Sequence, residues 1–347
     1  MKVISRCIKI RKSDCGVVLR TLKNLGILRS ELKLFRNGDY IYIPIRNDFR
    51  ATSIREGLAD VDFELCDQEF EVKESPRTFK DLLKSILPEE LLNRIPRSFD
   101  IVGDIALINL PKDLLNYGNY IGNAILSINK NVKAVYAVGP TLGDFRVRKL
   151  IHLAGVQKTE TVHKEYGILI HVDLARAYYN PSLSFEHFRV ASESHDYELI
   201  LDLFSGVGSF ALHIASRYVA KVVAIDINPY AIQCLLKSIA LNKRKLRGYV
   251  IAINGDASYV LTFFRDAIFD KIIMNLPHKA INYLKEAYRV CKSSGIIYLY
   301  HIAGHEFEVT EAVNRYMKGL RYEILELVRV LDYAPHKYIY RVKILKQ

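Results

Sequence analysis

Ile200-Leu201-Asp202-Leu203-Phe204-Ser205-Gly206-Val207-Gly208-Ser209-Phe210 is an apolar run that ends in a glycine turn and opens a helix. Residues 200–204 have the length and bounding of a buried parallel strand, with Asp202 the polar exception inside it. Gly206 and Gly208 permit a tight turn and a close approach of backbone to a ligand, and residues 210–214 read as the helix that follows. The spacing Gly206-x-Gly208-x-x-Ala211 fits a relaxed dinucleotide fingerprint, a weak signal alone. The rest of the chain has to decide which cofactor sits there.

Downstream of the turn, strands expected near 199–204, 221–226, 248–254, 270–274 and 295–301 alternate with helices, which predicts an α/β, doubly wound, Rossmann-like sheet. Two last strands, near 322–330 and 338–345, are expected to close one edge antiparallel. Asp226, 18 residues beyond Gly208, stands where an acid after the second strand takes ribose hydroxyls. Asp256, in Asn-Gly-Asp-Ala, follows the third strand, within reach of an adenine amine. Asn275-Leu276-Pro277 follows the fourth. The switch-point rule brings all four loops to one crevice. NAD would account for the first turn and Asp226. S-adenosylmethionine also accounts for Asp202 near the first turn, and for a fourth-strand loop that holds a methyl acceptor.

Upstream, the 347 residues are half apolar, enough for two or three domains and a sizeable core. No apolar stretch approaches the roughly 20 residues of a membrane helix, and the N-terminus lacks a signal-peptide core. A soluble, cytoplasmic monomer without a membrane partner is expected. Five cysteines, none in a Cys-x-x-Cys pair, argue against a disulfide framework or a bound metal and for reduced, mostly buried thiols. Of the formal charge of +12, residues 1–50 hold a surplus of eight, twelve Lys and Arg against four Asp and Glu. Residues 56–74 carry eight acids and one Lys. The pattern suggests a phosphate-facing basic module on an acidic tether, with an ordinary solvated surface as the alternative. In the module, a strand over 3–9, a helix from about 14 to 25 capped by Ser13, and a hairpin at Asn37-Gly38 are expected. A second α/β unit without a cofactor signature follows Pro76, ending in short antiparallel strands over 150–173. The expected division is therefore 1–50, a small basic domain; 51–75, an acidic linker; 76–175, a middle α/β domain; and 176–347, the cofactor domain.

Phe145-Arg146-Val147-Arg148, the stretch Tyr179-Asn180-Pro181-Ser182-Leu183-Ser184-Phe185-Glu186-His187, the glycine turn, Asp226-Ile227-Asn228-Pro229, Asn275-Leu276-Pro277 and Tyr333-Ala334-Pro335 occur in an order and spacing that resemble the archaeal and eukaryotic tRNA (guanine-N1)-methyltransferases. The resemblance runs from about residue 144 to the C-terminus. It implies methyl transfer from S-adenosylmethionine to N1 of the guanosine immediately 3′ of the anticodon, with tRNA as partner, the domain over 1–50 as a tRNA-binding domain and the one over 76–175 as an RNA-binding domain. It further implies that Glu186 takes the N1 proton, Arg146 steadies charge on O6, Asn275 orients the base and Pro277 shapes the loop. Asp202, Phe204, Gly206, Val207, Gly208, Asp226, Ile227, Asn228, Asp256, Ala257 and Asn275 form the implied cofactor-binding set. Ser209 stands where the family has Pro, and Ser182 and Phe185 where it has Arg and Thr; losing the Arg removes a phosphate contact. The alternatives are an added activity on a wyosine precursor, another RNA base as acceptor, and a non-catalytic RNA-binding module.

Overall fold

The computed structural model describes residues 2–46, 54, 55, 57, 58, 61–72, 78–143 and 145–347, and divides the chain into two units, Met1–Thr78 and Phe79–Gln347. Of the linker expected over 51–75, residues 51–53, 56, 59, 60 and 73–75 lie outside the described residues, as does Asp144.

The first unit is built on β1 (Lys2–Arg11), which is followed by helix α1 (Cys15–Asn24) and the hairpin β2 (Phe35–Asn37) and β3 (Tyr40–Pro44). The hairpin forms as expected, with Gly38 at φ 55° in its turn. Ser13 does not cap α1. Its Oγ bonds Asp14 Oδ1 at 3.0 Å, and the helix starts after a short 3-10 turn with Asp14 as an N-cap that makes no side-chain bond. Val18 and Leu22 of α1 pack on Ile8, Ile10, Ile41 and Ile43.

The acidic stretch is largely sheet rather than tether. Glu64–Glu71 form β4, paired antiparallel to β1 in a sheet of order β2-β3-β1-β4. The register sets acids against bases: Lys2 reaches Glu69 at 3.0 Å and Lys9 reaches Glu64 at 2.9 Å, while Lys33 meets Glu71 at 2.8 Å. Over residues 1–78 there are fifteen Lys and Arg and twelve Asp and Glu, so the unit carries a surplus of three, not eight.

The second unit begins with short helices α2 (Phe79–Leu83) and α3 (Glu89–Arg94). It continues through β5 (Asp100–Val102), β6 (Ile105–Ile108), helix α4 (Gly118–Ile128), β7 (Ala134–Leu142) and β8 (Val147–Gly155), a four-stranded sheet in chain order. A separate hairpin, β9 (Glu160–Glu165) and β10 (Ile168–Asp173), leads to helix α5 (Ser184–Ser192).

The large sheet comprises β11 (Leu199–Asp202), β12 (Lys221–Asp226), β13 (Tyr249–Asn254), β14 (Phe269–Met274), β15 (Cys291–Ala303), β16 (Tyr322–Ala334) and β17 (Lys337–Lys346). Its order is β13-β12-β11-β14-β15-β17-β16, parallel up to β15 and antiparallel beyond, so the doubly wound fold and the antiparallel edge are both present. Between its strands lie α6 (Ser209–Arg217), α7 (Pro229–Asn242), α8 (Ala257–Val260), α9 (Leu284–Val290) and α10 (Glu306–Tyr316). The β9–β10 hairpin is fastened to α7, where His171 N–H donates to Ser238 Oγ at 2.8 Å and Leu169 N–H to Asn242 Oδ1 at 3.0 Å. One core runs from Ile105 and Ile170 through Ile200 and Phe210 to Tyr300, so packing is continuous across residue 175. All five cysteines are free thiols, and Cys7, Cys234 and Cys291 are buried. Among the described residues, no helix is long and apolar enough to cross a membrane.

Candidate active site

Strand β11 is flanked by β12 and β14 on its two sides, so chain direction across the sheet reverses here and the carboxyl ends of β11 and β14 open a crevice. The turn after β11 is pinned at both ends. Leu203 N–H donates to Ile273 O at 2.9 Å and Ser205 N–H to Ile225 O at 2.8 Å. Gly206 and Gly208 adopt φ 54° and 85°, which glycine takes without strain, and a Cβ on Gly208 would collide with Leu235 of α7.

Asp226 closes the same turn. Its Oδ2 accepts from Gly206 N–H at 2.7 Å and its Oδ1 from Asn228 N–H at 2.8 Å. Burial raises its carboxyl, against the pull of those two N–H groups. Asn228 in turn caps α7 through Tyr230 N–H at 3.0 Å. The sequence-derived pair of glycines and acid is thus one hydrogen-bonded assembly.

Asp202 has the opposite environment. It is fully buried and neither carboxylate oxygen has a hydrogen-bond partner; Ser205 Oγ is likewise sealed and unpartnered. Burial, and then the charge of Asp226, push the Asp202 carboxyl up to about 8. A buried acceptor without a donor costs about 1–3 kcal/mol. A cationic amine meeting it would recover that energy, so these residues fit a cofactor with an ammonium group beside a glycine turn.

The remaining members of the expected cofactor set line the neighbouring loops. Val207 is buried, the Phe204 ring meets Tyr283 edge-on at 5.2 Å, and Ile227 is 45% exposed beside Asp226. Asp256 accepts from Ser258 N–H at 2.8 Å and so caps α8, with Ala257 buried behind it. Its carboxyl is therefore engaged by its own helix, which holds it below its ordinary range.

Glu186, on the first turn of α5, is buried. Its Oε1 accepts from the Tyr300 hydroxyl at 2.7 Å and lies 3.4 Å from Arg341 Nη1. The start of α5 is fixed by a second buried cluster. Tyr179 donates to Glu165 Oε1, and His187 Nδ1 and His213 Nε2 each lie 3.0 Å from Glu165 Oε2. Burial pushes Glu165 up, but the two histidines and the tyrosine outweigh it and hold its carboxyl far below the usual range. Tyr179 and His187, prominent in the sequence motif, thus serve to seat the helix that carries Glu186.

Arg146 precedes β8 with φ 53°, a left-handed backbone that a non-glycine residue adopts at a cost of order 1–3 kcal/mol and that clusters at functional sites. Its guanidinium lies 5.6 Å from the centre of the Tyr178 ring, with that of Arg148 at 5.4 Å. Burial, and next the charge of Arg146, lower the histidine His278, which follows Pro277 in the fourth-strand loop. His278 Nε2 meets the Tyr333 hydroxyl at 3.1 Å. The Arg146 segment, the Asn275–Pro277 loop and the Tyr333-Ala334-Pro335 tail therefore converge. Sequence reasoning missed Tyr178, the ring both arginines share, although it directly precedes the Tyr179-Asn180-Pro181 motif. It also missed Tyr300 and Arg341.

Three family models match the chain: a tRNA methyltransferase 5 N-terminal domain over residues 7–53, a TYW2 N-terminal domain over 79–159 and a TRM5/TYW2 methyltransferase domain over 161–325. A relative from Pyrococcus abyssi, tRNA (guanine(37)-N(1))-methyltransferase Trm5b, is 34% identical over 340 residues, covering 95% of this chain and 96% of its own. The crystal structure of Trm5b from Pyrococcus abyssi superposes with a TM-score of 0.77 at 32% identity, over 99% of this chain and 100% of that one. A complex of aTrm5 with tRNALeu superposes at 0.71 with 28% identity, over 98% and 99%. The chain belongs to the TRM5/TYW2 methyltransferase family.

Proposed function

We infer that this chain, as a member of that family, transfers a methyl group from S-adenosylmethionine to N1 of the guanosine immediately 3′ of the anticodon in tRNA. One observation in the fold supports the reading: an unpartnered, buried Asp202 beside a glycine turn pairs in the sheet with Ile273, two residues before the Asn275–Pro277 loop, and His278 at the end of that loop feels the charge of Arg146. When bound, S-adenosylmethionine supplies a methyl group made electrophilic by its sulfonium, with a cationic amine that suits Asp202. Gly206 and Gly208 let the backbone approach the ligand, and Asp226 holds that turn while standing at the ribose position.

The acceptor sets the rest of the chemistry. Guanine N1 carries a proton, and its electron pair becomes a good nucleophile only as that proton leaves. Glu186 takes the proton, and Arg146 steadies the negative charge that grows on O6. Asn275 orients the base, and Pro277 shapes the loop around it. The left-handed backbone at Arg146 and the Tyr178 ring beside its guanidinium support this role.

The decisive experiment is product mapping on unmodified tRNA by nuclease digestion and mass spectrometry. One methyl group on N1 of the guanosine 3′ of the anticodon is expected, with no product when adenosine replaces it; a methyl group on any other base overturns the assignment. We further propose that the unit Met1–Thr78 is an RNA-binding domain acting with the layer over 76–175, and that tRNA modification takes place in the cytoplasm. Removing residues 1–78 should then weaken tRNA binding and flatten its salt dependence. An unchanged slope would make that charge ordinary surface.

A further inference from the structure

Helix α5 packs on the antiparallel end of the sheet, and two carboxylates, Glu186 in its first turn and Glu193 capping its end, meet two successive rungs there. Tyr300 of β15 and Arg341 of β17 are direct partners in the ladder, and so are Tyr298 and Lys343 two residues along. Each rung presents one phenol and one cation to one glutamate. Glu186 Oε1 receives the Tyr300 hydroxyl at 2.7 Å with Arg341 Nη1 at 3.4 Å. Glu193, seven residues on, receives the Tyr298 hydroxyl at 2.8 Å and Lys343 Nζ at 2.6 Å. Arg341 is fully buried and also contacts Glu326 of β16, which Arg189 of α5 binds from the other side; Arg341 Nη1 lies 3.8 Å from Glu193. Lys271 of β14, behind the second rung, is bound by Glu198 at 2.9 Å. Three glutamates, Glu186, Glu193 and Glu326, thus share Arg341, Arg189 and Lys343.

The two rungs differ in one respect. Among the described residues both oxygens of Glu193 are engaged, Oε2 by the phenol and the lysine of its own rung and Oε1 by an ion pair with Arg341 of the other rung. Glu186 is held at Oε1 alone, by the hydrogen bond from Tyr300 and the charge of Arg341; its Oε2 has no hydrogen bond among the described residues and is not among the sealed, unpartnered atoms. Burial and the charge of Glu186 push the Tyr300 phenol far above its usual range, so it stays a donor to the carboxylate.

We propose that Tyr300 and Arg341 are positioning residues for methyl transfer, gripping Oε1 of Glu186 so that Oε2 is turned to the acceptor as the atom that receives the N1 proton. This rests on the reading of Glu186 as the base. In the step, the N1–H bond breaks and an O–H bond forms at Oε2. The electron pair left on N1 makes the new bond to the methyl carbon, whose bond to sulfur breaks with its electrons staying on sulfur. The second rung has no such task and only fastens α5.

The two rungs supply their own control. Single-turnover methylation of unmodified tRNA is measured from neutral to alkaline pH for Tyr300→Phe, Arg341→Lys, Tyr298→Phe and Glu186→Gln, with cofactor affinity and Tm for each. Tyr300→Phe should slow methyl transfer about 10-fold at neutral pH, the worth of one hydrogen bond to a charged group, with cofactor affinity unchanged. The deficit should shrink as pH rises toward the range in which guanine N1 loses its proton unaided. Arg341→Lys should show a smaller deficit, about threefold, with the same recovery. Tyr298→Phe should lower Tm but shift the rate less than about twofold at every pH. The proposal is overturned if Tyr300→Phe runs parallel to the unaltered enzyme across pH, or if it behaves as Tyr298→Phe does. Glu186→Gln distinguishes the two levels. A normal rate in that variant removes the base assignment itself, whereas a slow Glu186→Gln with a normal Tyr300→Phe removes only the positioning role.

Discussion

The glycine-turn side of the crevice and the α5 side each hold a buried carboxylate, and the two are provided for by opposite means. Asp202, at the end of β11, makes no hydrogen bond through either oxygen among the described residues, and burial pushes it up to about 8 against the weaker pull of the Ala211 N–H. Glu186, on α5, meets a phenol and a guanidinium brought side by side by one rung of the β15–β17 ladder. The contrast matches the roles proposed for the two. A carboxylate that will meet a cation in the ligand can be left without one by the protein, because binding then recovers the cost of its burial. A carboxylate that must accept a proton from a neutral base has to be placed before the ligand arrives, because a small misplacement of a reacting group costs much of the rate.

The strongest way to break this comparison is to remove each side's acting group. Glu186→Gln should lower single-turnover methylation by about 10² or more, and Arg146→Ala by about 10², with cofactor affinity nearly unchanged in both. If instead cofactor binding fails while the rate at saturating cofactor survives, the two sides of the crevice have been assigned the wrong way round.

Asp202→Asn sharpens the comparison from the other side. It keeps the volume and removes the charge, so cofactor affinity should fall about 10- to 100-fold, the worth of a charge-assisted hydrogen bond in a dry site. The rate at saturating cofactor should change little. The same variant should raise the Tm of the free protein near pH 8, because it no longer buries an unpaired charge. A free protein that is less stable with Asn at 202 would mean that Asp202 has a partner inside the fold.

How much of this was legible beforehand divides along the same line. Asp226, expected as a ribose acid, also closes the glycine turn; the turn itself, at Gly206 and Gly208, is legible because its left-handed backbone obeys short-range rules. The partners of Glu186 are not, since Tyr300 lies 114 positions away and nothing in a local pattern says which rung of an antiparallel edge will pass beneath α5. A hint is the arginine set directly between Tyr340 and Val342, a placement that requires paired charge when buried. Asp256, expected to face the cofactor, caps α8 through Oδ1, a local role that the sequence pattern also allows a turn residue. The acidic stretch was misread for a different reason. Composition weighed against structure there, although Glu64, Asp67, Glu69 and Glu71 are complementary to Lys9, Arg6, Lys2 and Lys33, and that complementarity pairs β4 with β1.

The subtlest consequence concerns protons rather than rates. A carboxyl raised from its unfolded value of about 3.9 to about 8 in the folded protein binds more protons folded than unfolded between those values. Its contribution to stability is therefore complete below about pH 4 and is lost as pH rises through about 8, at up to about 1.4 kcal/mol per pH unit for one group. Asp226, also raised by burial, adds in the same direction. In Asp202→Asn the fall in Tm of the free protein from pH 5 to pH 8 should accordingly be shallower. A cationic amine placed on Asp202 reverses the preference, so cofactor binding near pH 7 should release close to one proton. Calorimetry in buffers of different ionisation enthalpy reads that number directly. A proton count near zero, equal in the parent and in Asp202→Asn, would place the ligand's cation elsewhere and remove the asymmetry between the two carboxylates.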